Sequence, residues 1–337
     1  MQQTVLILGA AGRLGQQLTH AFANAGWRTL AQSRKPLPAA LAASPGVAWL
    51  EGDALASAQL LHAAQGASVV INALNPPYTE WEHLALPLAR AAQDLALRLG
   101  ALLMLPGNVY NFGNELPALL RVDTPEVGNT SKARIRIAIE AGMAAAAAQG
   151  LDSVVLRAGD FFGGAQGGSW FDLAIASRLQ RGKLVYPGPL DVQHAWAYLP
   201  DLARCFVRLA AQREQLRGHR RLHFAGHAIE GQVLLEAMQS ICARPIEAGT
   251  LPWGLIRLAA PLLPSWRALL EMRYLWQRPH ALDDSELRQL IGTPPQTELG
   301  LALHLSLREL GQGDLLRQPP NQPSQPSRAF LISSARS

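Results

Sequence analysis

The sequence predicts an α/β fold in which a doubly wound parallel sheet carries a smaller, mostly helical lobe. Three observations carry this reading. Short apolar runs of strand length alternate with helix-length segments up to Arg157, the pattern of a parallel sheet with helices on both faces. The first run ends directly in a glycine-rich turn. After Arg157 the alternation gives way to glycine- and aromatic-rich loops and then to helices. With 337 residues, 49% hydrophobic and 16% charged, the chain can bury one large core or two smaller ones.

In chain order, Thr4–Leu8 is a continuous apolar run suited to a strand buried on both faces. A helix is expected over 14–24, followed by strands at 28–32, 47–50, 69–72 and 101–105. Helical patterns at 56–64 and 84–99 separate the later strands. A long helix at 131–149 leads into a strand at 153–157. Residues 159–196 contain Phe161, Phe162, Trp170, Phe171, Tyr186 and Trp196 and read as loops around one helix. Asp201 reads as the N-cap of a helix reaching Gln212. A late strand is expected at 223–225, and 228–311 is mostly helical. From Gln312 onward Gly, Gln, Pro and Ser dominate, so 312–337 reads as a disordered tail.

Composition excludes several function classes. The net charge is +5, but the cations are scattered, the densest group being Arg217-Gly-His-Arg220-Arg221, so no nucleic-acid partner is expected. The N-terminus has no basic region ahead of its apolar run and does not read as a signal peptide. The most apolar later stretch, 253–270, is broken by Arg257, Pro261, Pro264 and Arg267, so no membrane span is expected. Cys205 and Cys242 are too few for a disulfide scaffold and too far apart for a short-spaced metal pair, which suits a reducing cytoplasm. His219, His223 and His227 recur every four residues, yet a strand at 223–225 would not hold all three together, so no metal is expected.

Gly9-Ala10-Ala11-Gly12-Arg13-Leu14-Gly15 follows the first strand at once. Glycines in this spacing allow a tight turn, close approach of backbone to a pyrophosphate, and close helix–strand packing, with the helix N-terminus facing the phosphates. The sheet is therefore expected to be of Rossmann type and to bind a dinucleotide. Where an NAD site would place a carboxylate at the end of the second strand, this chain has Gln32-Ser33-Arg34-Lys35. A hydroxyl and cations suit a 2′-phosphate, with Arg13 helping from the glycine loop, so NADP is preferred and NAD possible; solvated loop cations are the alternative. Asp53 after the third strand can reach the adenine amino group, and Asn72-Ala73 after the fourth can line the cofactor's middle. Both also suit ordinary turn chemistry. Residues 1–158 and 196–227 then form the NAD(P)-binding domain, and 159–195 with 228–311 the substrate lobe.

These features, with Asn108-Val109-Tyr110 after the fifth strand and Ser131-Lys132 opening the long helix, resemble the short-chain dehydrogenase/reductase superfamily. More narrowly, over about 1–311, the chain is similar to the extended and atypical branches, the NAD(P)-dependent epimerase/dehydratase-like proteins. The resemblance implies a Tyr-x-x-x-Lys pair, the lysine holding the nicotinamide ribose and lowering the tyrosine's pKa. Lys132 matches the lysine, but Gly128 stands in the tyrosine's place. Lys132 shares a helical face with Ile135, Ile139 and Met143 and is expected to point inward as the ribose anchor, or else to pack as a surface lysine. Tyr110 is the candidate replacement acid, or a packed core residue; Asn108 is the candidate to orient a substrate carbonyl. His194 either faces the substrate pocket or is structural. Residues 271–276, with Glu271, Tyr274 and Trp276, read as a helical packing stripe, with pocket lining the alternative.

Two functions follow. One is an NADPH-preferring oxidoreductase or epimerase-like enzyme acting on a small carbonyl or hydroxyl compound, as a monomer or homodimer. The other is a non-catalytic NADP-binding redox sensor, which loss of the motif tyrosine favours.

Overall fold

Thr4–Leu8 forms strand β1, and all five residues are buried, as a sheet covered on both faces requires. The computed structural model describes residues 2–165 and 167–317. The further strands are β2 (Arg28–Ser33), β3 (Val47–Glu51), β4 (Val69–Asn72), β5 (Leu102–Gly107), β6 (Leu119–Leu120), β7 (Ser153–Ala158), β8 (Asp160–Phe162), β9 (Lys183–Tyr186), β10 (Gln193–Tyr198), β11 (His219–Phe224), β12 (His227–Glu230), β13 (Glu247–Thr250) and β14 (Ala281–Leu282). The helices are α1 (Arg13–Asn24), α2 (Ala39–Ala42), α3 (Ser57–Ala63), α4 (Trp81–Leu99), α5 (Ser131–Ala146), α6 (Leu199–Ala211), α7 (Gly231–Ile241), α8 (Trp253–Ala259), α9 (Pro264–Glu271), α10 (Ser285–Ile291) and α11 (Leu299–Glu309).

Seven strands make one sheet in the order β11-β7-β5-β4-β1-β2-β3, with every pairing parallel. This is the doubly wound Rossmann-type sheet that the alternation predicts. The chain builds β1 to β3 outward, then returns to lay β4 on the other side of β1, which opens a crevice at the C-terminal ends of β1 and β4. Register places Leu8 opposite both Gln32 and Asn72, so these two polar side chains flank the glycine turn. Alternate residues of β1 enter different cores. Val5 and Ile7 pack with Leu18 and Phe22 of α1 and Phe206 of α6. Leu6 and Leu8 join the core of α4 and α5, which continues into the lobe through Leu234, Trp276 and Leu303.

Several elements differ from expectation. Residues 159–196 hold strands as well as loops: β8 pairs parallel with β10, and β10 antiparallel with β12. Gly159 permits this departure from β7, since a Cβ there would lie 2.1 Å from the Ala195 carbonyl oxygen. The late strand starts at His219 rather than 223; it is the edge strand of the sheet, and its exposed Arg220 and Arg221 hide it from a hydrophobicity reading. Asp201 is not an N-cap: α6 starts at Leu199, and Asp201 in its first turn accepts from the Thr297 amide and hydroxyl. Residues 312–317 pack on α7, with Leu316 buried and the Arg317 amide donating to Ile241. The remainder of the expected tail, 318–337, lies outside the described residues.

A buried ion cluster ties α5 to the sheet. Arg157, at 0% exposure, pairs with Glu140 of α5 and with Glu126 in the preceding loop. Asn111 donates to both carboxylates, at 3.3 and 3.0 Å. Removing one partner would strand a desolvated charge. Glu140→Ala should therefore cost about 3–5 kcal/mol in urea unfolding; a loss below about 1 kcal/mol would show that the cluster does not hold the helix down.

Candidate active site

The glycine turn is built for close approach. Gly9 has φ +79°, and a Cβ on it would come within 3.0 Å of the Ala73 carbonyl oxygen. At Gly15 a Cβ would lie 2.2 Å from the Gly9 carbonyl oxygen, so α1 rests directly on the turn. Gly12 is the N-cap of α1, without a side-chain cap or an acidic residue in the first turn. The first intrahelical bond runs from Gln16 to Gly12. The amides of Arg13, Leu14 and Gly15 precede it and open toward the crevice end of β1, the geometry of an anion cradle. Ala11 lies within this turn, and Ala73 packs beside it on the β4 side.

At the adenosine end, Gln32 binds the turn through its side chain. Its Oε1 accepts from the Gly9 amide at 3.1 Å, and its Nε2 donates to the Gly52 carbonyl at 2.7 Å, tying together the ends of three strands. The sequence reading gave it no role. The Ser33 hydroxyl donates to the Lys35 carbonyl and accepts from Trp49 Nε1, which shapes the turn and leaves Arg34 and Lys35 exposed. Asp53 and Asn72 each accept from the amide two residues on, at 3.0 and 3.2 Å. Arg13 turns the other way. Its guanidinium grips Asp172 with two bonds, at 2.7 and 3.2 Å, while Nε donates to the Gly163 carbonyl at 2.6 Å. The guanidinium expected to help at the 2′-phosphate is thus claimed by a bidentate carboxylate instead.

At the nicotinamide end, Lys132 points inward as expected, at 3% exposure. Its ammonium meets Glu271 at 2.6 Å and lies 5.2 Å from the centre of the Tyr78 ring. Burial alone would raise Glu271's pKa, but hydrogen bonds from Lys132 and Ser131 hold its carboxyl below the ordinary range. Gly128 precedes the N-cap Thr130, so it is not on α5 and shares no helical face with Lys132. One turn after Lys132, Arg136 donates to the Pro106 carbonyl at the end of β5 and lies over Trp81. Asn108 accepts from the Tyr110 amide. The Tyr110 hydroxyl bonds that of Tyr78 at 2.9 Å. Burial pushes the Tyr110 phenol well above its ordinary value, the reverse of what an acid working near neutrality needs.

Glu271, Tyr78 and Tyr274 therefore belong to this edge of the sheet. Glu271 and Tyr274 read in the sequence as a packing stripe, with pocket lining the alternative, and nothing in the local pattern marks Tyr78. An open cavity of about 560 Å³ lies beside Glu271, lined also by Thr130, Ser131, Arg134, Arg273 and Tyr274. His219 and His223 lie on β11 and His227 on β12; among the described residues no group of three or more His, Cys, Asp or Glu could hold a metal.

Comparison with known proteins agrees with this architecture. Residues 1–94 match the model of the NmrA-like family. No curated protein sequence matches the chain significantly. Among solved structures, MoeE5 in complex with UDP-glucose and NAD is 17% identical with a TM-score of 0.71, the match covering 91% of this chain and 98% of that one. The Bordetella bronchiseptica enzyme WbmH in complex with NAD+ is 18% identical with a TM-score of 0.70, covering 92% and 100%. A UDP-glucose-4-epimerase from Stenotrophomonas maltophila, with bound NAD and formylated UDP-arabinopyranose, is 15% identical with a TM-score of 0.72, covering 93% and 98%. The chain thus has the fold of the extended short-chain dehydrogenase/reductases, as its motifs implied.

Burial lowers the pKa of four histidines, to about 4 for His219 and His223, to about 3 for His280, and in the same direction for His227. The unfolded chain takes up these protons below the ordinary value near 6.5, whereas the native state resists until about 4 or 3. Their contribution is whole above pH 6.5 and erodes as pH falls, by about 1.4 kcal/mol per pH unit per histidine. Urea midpoints should decline between pH 6.5 and 4.5, and His280→Gln should flatten that decline by roughly a quarter to a third. A midpoint flat across the window would contradict neutral, buried imidazoles.

Proposed function

We propose that the chain is an NAD(P)-dependent oxidoreductase or epimerase-like enzyme, NADPH preferred, acting on a small carbonyl or hydroxyl compound. The observation that carries this is one crevice with two ends. A glycine-built helix N-terminus, at the switch between β1 and β4, lies next to a β2 end that presents Arg34 and Lys35 and no carboxylate. The amides of Arg13, Leu14 and Gly15 take the pyrophosphate, and Arg34 meets the 2′-phosphate on a turn shaped by Ser33. Asp53 faces the adenine, and Asn72 and Ala73 line the middle. When bound, the cofactor supplies or accepts hydride at its nicotinamide. Asn108 orients the substrate carbonyl beside Tyr110, and Lys132 holds the nicotinamide ribose after exchanging Glu271 for its hydroxyls.

The partner is a small molecule, met by a cytoplasmic monomer or homodimer. No helix among the described residues is long and apolar enough to cross a membrane. A second reading, a non-catalytic NADP sensor, is favoured by the Lys132–Glu271 pair, which engages the one motif cation in the absence of a motif tyrosine.

Calorimetric titration tests the cofactor assignment. Charge-assisted bonds to the 2′-phosphate are worth about 1.5–3 kcal/mol, so NADPH should bind roughly tenfold to a hundredfold more tightly than NADH. Arg34→Asp should abolish or invert the preference; equal affinities in the unmodified protein would sink it. The ribose assignment has its own pair of variants. Lys132→Ala should weaken NADPH binding about tenfold or more, whereas Glu271→Gln, which frees the ammonium, should tighten it. If both leave affinity unchanged, Lys132 does not touch the cofactor.

A further inference from the structure

Asp160 and His194 sit past the C-terminal edge of the sheet and are unused by the reading above. Asp160 opens β8 immediately after Gly159, and register sets it opposite Trp196 of β10. His194, two residues before Trp196, projects to the same face. Its Nε2 lies 2.9 Å from Asp160 Oδ2 and its Nδ1 3.2 Å from the Leu275 carbonyl oxygen.

Both neighbours of the ring are acceptors. A neutral imidazole offers one N–H and one lone pair. Beside an ionised Asp160, either tautomer would set a lone pair against an oxygen lone pair, at a side chain only 1% exposed. One additional proton satisfies both contacts, either as imidazolium on carboxylate or as a neutral ring accepting from the carboxyl. Among the described residues no lysine or arginine pairs with Asp160 to relieve the arrangement instead.

The surroundings keep that proton local. Trp276 stacks on His194 at 4.1 Å with 6° between the planes, while Trp196 and His280 lie at 4.9 and 4.7 Å. His280 stays neutral, through burial first and then the charge of His194. The phenols of Tyr78, Tyr110, Tyr186 and Tyr274 are all pushed up, by burial chiefly and by Asp160 in part. These four phenols and His280 are thus neutral and poor acceptors. Asp160, with 13% of its side chain exposed, is the outward member. The indole Nε1 atoms of Trp196 and Trp276 are buried and find no acceptor among the described residues.

We infer that Asp160 and His194 share one proton and deliver it from Asp160 to the substrate's carbonyl oxygen. The inference rests on the oxidoreductase reading. Hydride from NADPH forms the new C–H bond, the carbonyl π pair moves to oxygen, and that oxygen takes the proton from Asp160. NADP+ and the alcohol result, and the pair regains its proton from solvent. Asp160 is then the catalytic acid and His194 the positioning residue behind it.

Nitrogen-15 NMR of ring-labelled histidine in the full-length protein reads the proton count without requiring turnover. At pH 7 His194 should show no free, unprotonated ring nitrogen, and Asp160→Asn should return it to one neutral tautomer. A panel of aldehydes and ketones, followed by loss of NADPH absorbance, reads the delivery step. Asp160→Asn should lower turnover about 10²- to 10⁴-fold, remove the loss of activity at alkaline pH, and change NADPH affinity less than about twofold. A neutral single-tautomer His194 beside an ionised Asp160 in the unmodified protein would overturn the inference, as would an Asp160→Asn enzyme with full turnover and an unchanged pH profile. Failure of NADPH to bind in the calorimeter instead marks failure of the oxidoreductase reading, so the two are told apart.

Discussion

Arg157 is a charged residue at 0% exposure near the end of an interior strand, and the nicotinamide side of the site is arranged around how that charge is satisfied. Its carboxylates come from two places, Glu140 on the second half of α5 and Glu126 on the loop leading into that helix. Satisfying one guanidinium therefore fixes where α5 begins and how it lies along β7. Lys132 and Arg136 project from the two turns preceding Glu140, and Asp160 follows Arg157 by three residues. A buried ion cluster is a weak source of net stability, but it tolerates few alternative geometries. Here it specifies the relative placement of the groups proposed to meet cofactor and substrate.

Further ionic contacts join the sheet to the lobe, and they converge on the crevice. Arg13, inside the dinucleotide turn, grips Asp172 and the Gly163 carbonyl, and the neighbouring Gly164 amide donates to Glu309 of α11. Lys132 and Ser131, at the start of α5, hold Glu271 at the end of α9. Asp201, at the start of α6, holds Thr297. Each anchor on the sheet side is a helix N-terminal turn, and the contacts at α5 and α6 use its orphan amide or first-turn carboxylate. The lobe thus contacts the elements that a dinucleotide would touch.

Local chemistry was legible in the sequence, and long-range pairing was not. β1, β4 and the glycine turn follow from consecutive residues, and their boundaries agree with the apolar runs. The absence of a carboxylate at Ser33-Arg34 is equally local. By contrast, β8 and β10 sit in a glycine- and aromatic-rich stretch whose strands pair across more than thirty residues, so no periodic pattern announces them. Glu271 reads as part of a helical stripe until α5 is placed opposite it. Arg13 suits a phosphate by type, but Asp172, remote in sequence, claims its guanidinium. His194 stood out as titratable; Asp160 did not, because its significance lies in a contact between two strands and a third segment at Leu275.

The missing tyrosine takes on a different aspect once α5 is placed. A phenol near neutral pKa needs an unneutralised cation beside it. Residue 128 lies ahead of the helix, and the i, i+4 pair on the first turns of α5 is Lys132 with Arg136, two cations with no phenol between them. The Lys132 charge is matched by Glu271, and Arg136 is directed to the end of β5. A tyrosine restored at Gly128 would therefore meet neither the helical geometry nor the free ammonium that lowers its pKa. Tyr110 is near enough to matter, but its hydroxyl is spent on Tyr78 and burial makes it a weaker acid than free phenol. For the proposed reduction the proton comes from a group whose own contacts demand one, the Asp160–His194 pair, in which the ring lies between two acceptors and Asp160 is the outward member.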